Sequence, residues 1–306
     1  MPELPDVVVY LEALRRHVVG QRLERLNLLS SFVLRSVDPP IDTITGQTVS
    51  GVRRVGKRIV LEFAGTGVPV EGGHLSPLFL VIHLMIAGRL RWRAPKQKLG
   101  MGPKVVLASF EFPNGTLFFT EASSRKRASM QLVRGVPALR ALDPGGLEPL
   151  DATADQFRDA LTRENHTLKR ALTDPHLFSG IGNAYSDEIL HAAKLSPMKL
   201  SRSLSEEETL RLYDATRATL HVWIDQLRRD ANDGFPEKVT AFRDEMAVHG
   251  RYKQPCPVCS KPVQRIVYAE NECNYCATCQ TNGRLLADRS LSRLLRDDWP
   301  KSIDDL

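Results

Sequence analysis

Two Cys-x2-Cys knuckles constrain this chain more than any other feature of its sequence. Cys256 is followed by Cys259 and Cys276 by Cys279, with sixteen residues between the pairs. All 5 cysteines of the 306 residues lie beyond position 255. Cysteines crowded into one short segment, in a chain that reads as cytosolic, point to a metal rather than to disulfides. Four thiolates at this spacing match a structural zinc site. Each knuckle presents two sulfurs from one tight turn, and the completed tetrahedron leaves no open position for a substrate. Without zinc the segment should unfold. The intervening VQRIVYAENECNY alternates enough to form the two strands of a hairpin. Cys273 falls on that hairpin as a spare cysteine, not a ligand.

Ahead of the knuckles the chain changes character. Residues 6–19 carry Val8, Leu11, Leu14 and Val18 at helical spacing, with Asp6 as a cap and Gly20 as a stop. From 21 to 135 the β-rich runs IVLEF, LFLVIHLMIAGRLRW and KVVLASFEF dominate, the last meeting LFFTE across Pro113-Asn114-Gly115. Gly65 to Pro77 reads as an inserted loop. After the linker Leu142-Asp143-Pro144-Gly145-Gly146 the spacing is helical from about 152 to 230. Arg284 to Leu306 reads as one short helix ending before Pro300. The expected divisions are residues 1–140, a β-body with a leading helix; 150–235, helical; 250–282, the zinc segment; and 283–306, a tail.

No apolar run approaches the roughly 18 residues of a membrane span. MPELPDVV puts acids where a secretory signal carries bases, so a cytoplasmic protein without a targeting segment is expected. The net charge of +6 fits an anionic partner without establishing one. Arg89, Arg91, Arg93, Lys96, Lys98 and Lys104 occupy a stretch with no acid, and Arg125, Lys126 and Arg127 form a second cluster. Each is either a solvated basic face or a nucleic-acid contact. The run LKRALTDPHLFSGIGNAYSDEIL sets a Gly-x-Gly-Asn turn before a helix. Glycines let N–H groups approach an anion and the helix N-terminus adds a favourable dipole. The alternative is a tight reversal with glycines needed only for their backbone angles.

Taken in order, several motifs resemble the formamidopyrimidine-DNA glycosylase / endonuclease VIII family over about residues 2–280. They are Met-Pro-Glu-Leu-Pro at the N-terminus, Lys57 in VGKRIVLEF, HLMIAGRL at 83–90, GIGNAYSDEIL at 180–190 and the two knuckles. The resemblance implies an α+β multidomain protein: an N-terminal β-sandwich with a leading helix, a helix–two-turn–helix domain and a C-terminal zinc-finger β-hairpin. Damaged double-stranded DNA would lie in the cleft between them. It further implies a bifunctional glycosylase and abasic-site lyase of base excision repair. Such a protein would be a monomer, cytoplasmic and nucleoid-associated, with one structural zinc on Cys256, Cys259, Cys276 and Cys279.

The residue chemistry fits that implication. With Met1 removed, Pro2 carries a free secondary amine, whose ordinary pKa near 8 leaves roughly a tenth of it neutral at pH 7. Attack on the anomeric carbon displaces the damaged base. The resulting iminium has no N–H to lose and stays cationic, which acidifies the adjacent sugar proton and drives β- and then δ-elimination. Glu3 serves as general acid toward the sugar ring oxygen. By the same resemblance Lys57 lies near the lesion and its phosphates. Lys169, fourteen residues before Asn183, lies near the DNA backbone, and Asn183 binds a phosphate. Such contacts would make binding strongly salt-dependent.

The target base must leave the stack, and side chains must fill the gap. Ile86 stands where the glycosylase branch has a methionine wedge. Arg125, Lys126 and Arg127 lie in the second loop, TEASSRKRASM, with Arg127 or a neighbour where a phenylalanine is expected. Asn271 replaces an arginine five residues before the third zinc cysteine, with Arg265 six residues earlier still. The loop that covers an oxidised purine is short here, within Asn232 to Phe242. These departures leave room for a second reading, a catalytically weak protein of the same fold that binds damaged DNA. Pro2 and Glu3 argue against it.

Overall fold

The computed structural model describes residues 1–64, 76–97, 99–237, 239–240, 242–268, 271–287, 294 and 300–305, apart from the side chains of Pro103, Tyr268 and Asn271. The chain forms two compact units, 1–144 with 224–240 and 145–223 with 241–306.

The first unit opens with α1, Leu4–His17, which starts two residues earlier than the apolar spacing suggests. Pro5 suits a first turn, where its missing N–H has no partner to lose. Glu3 is the N-cap residue, and its N–H donates to Asp6 Oδ2 at 2.9 Å. Asp6 thus closes the turn from inside the helix instead of capping it from outside. Strands β1 (Arg25–Leu28), β2 (Val49–Val55), β3 (Arg58–Phe63), β4 (Leu78–His83), β5 (Gly88–Arg93), β6 (Val106–Phe112), β7 (Gly115–Glu121) and β8 (Ser129–Arg134) follow, then a short helix α2 (Gly135–Arg140). They build two antiparallel sheets, β1-β6-β7-β5 and β2-β3-β4-β8. Ile59, Leu61, Phe63, Leu80 and Ile82 of one sheet share a buried core with Leu90, Phe110, Leu117 and Phe119 of the other, and with Tyr10 and Leu14 of α1. Alternate residues of both sheets therefore face one interior, the pattern of a sandwich. The expected β6–β7 hairpin is present. Gly115 is required at its turn, since a Cβ there would lie 2.5 Å from the Arg93 carbonyl oxygen. Most of the expected inserted loop, Gly65 to Pro77, lies outside the described residues.

The second unit holds α3 (Ala154–Thr162), α4 (Leu168–Thr173), α5 (Asn183–Ala192) and most of α6 (Glu206–Ala231). Thr153 caps α3 through Gln156 N–H, and Thr167 caps α4 through Arg170 N–H. The knuckles flank a hairpin of β9 (Gln264–Tyr268) and β10 (Asn271–Tyr275), followed by α7 (Ala277–Thr281). The tail ends against this ribbon: Ile303 is buried with Ile266, Tyr275 and Leu285. The helix expected in the tail falls mostly on 288–293 and 295–299, outside the described residues. The end of α6 and the segment after it belong with the first unit. Arg228 pairs with Glu12 at 2.7 Å, and the Phe235 ring lies 5.8 Å from that of Tyr10. No helix among the described residues is long and apolar enough to cross a membrane.

Candidate active site and nucleic-acid interface

In the first unit Pro2 and Glu3 are both buried, Glu3 to 2% exposure, where the chain enters α1. Burial holds the terminal amine at Met1 below its ordinary range. Glu3 and Asp6 oppose that shift, while the cations of Arg89 and Lys57 reinforce it. Lys57 occupies the two-residue turn between β2 and β3, half-buried, so the fold brings it into the field of the amino terminus. His83, at the end of β4, is pushed down to about 4 by burial and by Arg58 and Lys57, and is neutral at physiological pH. Burial therefore disfavours protonation of an amine at this end of the chain, next to the buried Glu3 carboxyl. With Met1 in place the Pro2 nitrogen is an amide and has no such reactivity.

Ile86 stands at the apex of the loop joining β4 and β5, 57% exposed. Gly88 gives that loop its shape: its N–H donates to the Leu84 carbonyl at 2.8 Å, and a Cβ at 88 would lie 2.2 Å from the same oxygen. Arg125, Lys126 and Arg127 are exposed on the separate loop joining β7 and β8. Glu121, 1% exposed, accepts from the Arg127 and Ala128 N–H groups at 3.0–3.3 Å, and Lys126 Nζ donates to the Glu121 carbonyl. Sequence reasoning missed Glu121, which ties both feet of this basic loop together. The stretch 89–104 has no acid of its own, but one reaches it from elsewhere in the chain. Arg91 and Arg93 are on strand β5 and donate to the two oxygens of Glu237 at 2.7 and 2.6 Å. Their partner arrives from more than 140 residues away in sequence.

In the second unit, Gly180, at φ +82°, and Gly182, the N-cap, lead into α5, and Asn183 is its first residue, half-buried. Lys169 is close to Asn183, as expected, but not as a free cation. It is 3% exposed, and Nζ donates to the Asn183 carbonyl at 2.7 Å, Ser186 Oγ at 2.8 Å and Asp187 Oδ1 at 2.5 Å. An ammonium has three donors, and these three bonds hold the turn at Asn183 to α4. Asp187 Oδ2 in turn accepts from His249 Nδ1 at 2.8 Å and from Asn274 N–H at 3.1 Å. Burial alone would raise the Asp187 carboxyl; the Lys169 charge and the His249 hydrogen bond outweigh it and hold it below its ordinary range. Glu188 accepts from the N–H groups of Ala247, Val248 and His249 at 2.7–2.9 Å, and burial pushes its carboxyl upward. These acids tie α5 to the ribbon, and sequence reasoning missed them. The available signal was the recurrence of polar residues at 183, 187 and 191 along one helix face.

The sulfurs of Cys256, Cys259, Cys276 and Cys279 all lie within 4.8 Å of one another. Tetrahedral zinc with bonds of about 2.3 Å requires sulfur–sulfur edges of about 3.8 Å. The edges Cys256–Cys279 and Cys259–Cys276 are 3.9 and 3.4 Å, so the donor set fits one zinc ion. Cys273 lies outside the cluster, fully buried on β10, where burial pushes its thiol upward. His191 Nε2, on α5, is 3.3 Å from Cys256 Sγ. Asn271 opens β10 opposite Tyr268, which puts it at the hairpin tip; its side chain lies outside the described part of the structure. Arg265 lies over the Tyr252 ring at 4.4 Å and faces Glu272 at 3.6 Å.

Comparison with known proteins agrees with this arrangement. Residues 1–128 match the formamidopyrimidine-DNA glycosylase N-terminal domain, and residues 146–230 match the formamidopyrimidine-DNA glycosylase H2TH domain. The formamidopyrimidine-DNA glycosylase of Desulforamulus reducens is 32% identical over 292 residues, covering 92% of this chain and 99% of that protein. The MutM (Fpg) structure from Thermus thermophilus aligns with TM-score 0.71 at 31% identity, over 91% of this chain and 98% of the other. Lactococcus lactis Fpg bound to DNA containing an abasic site shares the fold, with TM-score 0.76 at 24% identity over 91% and 99% of the two chains. Two domain matches covering well over half the sequence, with full-length relatives, establish that the chain belongs to the formamidopyrimidine-DNA glycosylase / endonuclease VIII family.

Proposed function

We propose that this protein is a bifunctional DNA glycosylase and abasic-site lyase acting on damaged DNA, with the amine of Pro2 as nucleophile. The observation that carries the reading is the buried Pro2-Glu3 pair at the head of α1. Burial there disfavours protonation of a terminal amine, so removal of Met1 leaves a secondary amine that is more nucleophilic at pH 7 than an exposed one. The Pro2 nitrogen attacks C1′ of the damaged nucleotide, the bond from C1′ to the base breaks, and the departing base takes up the proton that the proline nitrogen gives up. Glu3 donates a proton to the ring oxygen, which opens the sugar and leaves an iminium on Pro2. Loss of a proton from C2′ expels the 3′ phosphate, and a second elimination expels the 5′ phosphate. The names of two relatives support the substrate: a formamidopyrimidine-DNA glycosylase, and an Fpg bound to abasic-site DNA. Asn183 and the glycines before it offer a phosphate site that Lys169 positions, and the exposure of Ile86, Arg125 and Arg127 supports a role for them as contacts to the duplex. One zinc on the four cysteines orders the ribbon on which Asn271 sits.

Borohydride reduction during incubation with abasic-site DNA tests the reading. The processed protein should be trapped as a covalent complex through Pro2, whereas protein with a blocked terminus, or with Met1 retained, should give none. Trapping undiminished by the block would put the nucleophile elsewhere in the chain.

A further inference from the structure

Arg89, Arg91 and Arg93 share one face of β5, because alternate residues of a strand point the same way. All three reach the segment after α6. Arg91 and Arg93 grip Glu237, and Arg89 Nε donates to the Val239 carbonyl at 2.6 Å. The Arg89 fork also turns back on the neighbouring loop, where Nη1 donates to the carbonyls of Gly88 at 2.7 Å and Ile86 at 3.1 Å. One guanidinium thus joins two segments 150 residues apart, one of which displays the exposed Ile86. The planar fork suits this task, since it presents several donors in fixed directions; a lysine ammonium on a flexible stem does not.

We propose that Arg89 is a positioning residue of the lesion site, clamping the loop that displays Ile86 to the segment at Val239 and so fixing where that apolar wedge stands. Its catalytic consequence rests on the reading of Pro2 as nucleophile; its effect on the loop does not. The groups whose charges act on the amino terminus are Glu3, Asp6, Lys57 and Arg89. Arg89 and Lys57 oppose protonation, and the two acids favour it. Removing the Arg89 cation makes the amine easier to protonate, so less of it is reactive at low pH.

Two substitutions separate the fork from the charge. Arg89→Lys keeps the cation and loses the fork; Arg89→Met loses both. Hydrogen exchange in the free protein reads the clamp through the Gly88 N–H, which is bonded to Leu84. Exchange there should accelerate about tenfold or more in both variants, as expected for losing hydrogen bonds from a charged donor. Wild-type exchange in β3 and β4 verifies that each variant is folded. Borohydride trapping on abasic-site DNA across pH then reads the charge: its acid limb should stay in place in Arg89→Lys and move to higher pH in Arg89→Met. Unchanged Gly88 exchange in both variants overturns the clamp, and an acid limb that moves equally in both overturns the charge effect. A wild-type protein that traps nothing while Gly88 exchange still responds refutes the nucleophile and leaves the clamp standing.

Discussion

Both units bury apolar side chains, but they differ in the charged groups they bury with them. The interior of the β-sandwich unit is aliphatic and aromatic, drawn from both sheets and α1. Its buried acids Glu3 and Asp6 lie at the head of α1, and Glu121 lies at a loop foot. In the second unit Lys169, Asp187, Glu188, His191 and His249 are all buried around α5. Its residues 184–191 are buried without a break, so α5 has no solvent face on which to place polar side chains. Each therefore has a dedicated partner, as buried polar groups require. Apolar packing is nondirectional and tolerates exchange of similar volumes. A buried charge network depends on every member, because a lost partner leaves an uncompensated group. The first unit should therefore yield gradually to mutation, and the second abruptly.

Metal removal should break the comparison most widely. The four thiolates and a few small apolar clusters hold the ribbon, and the free energy of structural zinc binding is on the order of 10 kcal/mol. A chelator, or Cys276→Ser, should abolish amide protection across residues 247–285 and leave β3, β4, β6 and β7 protected. Cys273→Ser should keep its zinc. Zinc lost from Cys273→Ser and retained in Cys276→Ser would reverse the ligand assignment.

Two near-isosteric substitutions sharpen the contrast further. Asp187→Asn changes the volume little but leaves the Lys169 ammonium, 3% exposed, without its counter-charge. Removing one partner of a buried ion pair costs about 3–5 kcal/mol. Ile82→Leu, in the sandwich core, also conserves volume and should cost less than about 1.5 kcal/mol. Denaturant titration of both variants gives the comparison directly. Equal losses would mean that the charge network is no more demanding than the apolar core.

What the sequence revealed and what it hid follow the same divide. The four-cysteine cluster, the leading helix and the β6–β7 hairpin depend on residues close together in the chain, so spacing exposed them. Partnership over long distances left no such mark. The stretch around Arg91 and Arg93 contains no acid, so nothing local points to Glu237, which comes so much later. Nothing local shows that Lys169 pairs with Asp187, a full α5 turn past Asn183. The spacing of Asp6 suits a cap outside the helix or a partner within its first turn; only the geometry shows that Glu3 occupies the cap. Pro2 and Glu3 could be named from the resemblance, whereas their burial emerged only from the fold.

The smallest expected effect tests whether the α5 network extends to the metal site itself. His191 is 6% exposed and places Nε2 at 3.3 Å from Cys256 Sγ. A metal-bound thiolate has no proton to donate, so any hydrogen bond here must run from Nε2–H to sulfur. Such a bond withdraws charge from the thiolate and fixes its direction, and outer partners of this kind typically contribute about 10- to 100-fold in metal affinity. His191→Phe preserves most of the buried ring and removes the donor. It should keep the protein folded with zinc bound, yet lower zinc affinity by about tenfold in competition with a chromophoric chelator. The cobalt-substituted protein offers a second readout, since a thiolate relieved of its hydrogen bond is more electron-rich and its charge-transfer band should move to lower energy. If affinity and band position both match wild type, the contact is packing alone, and the polar network of the second unit stops at Asp187 and Glu188.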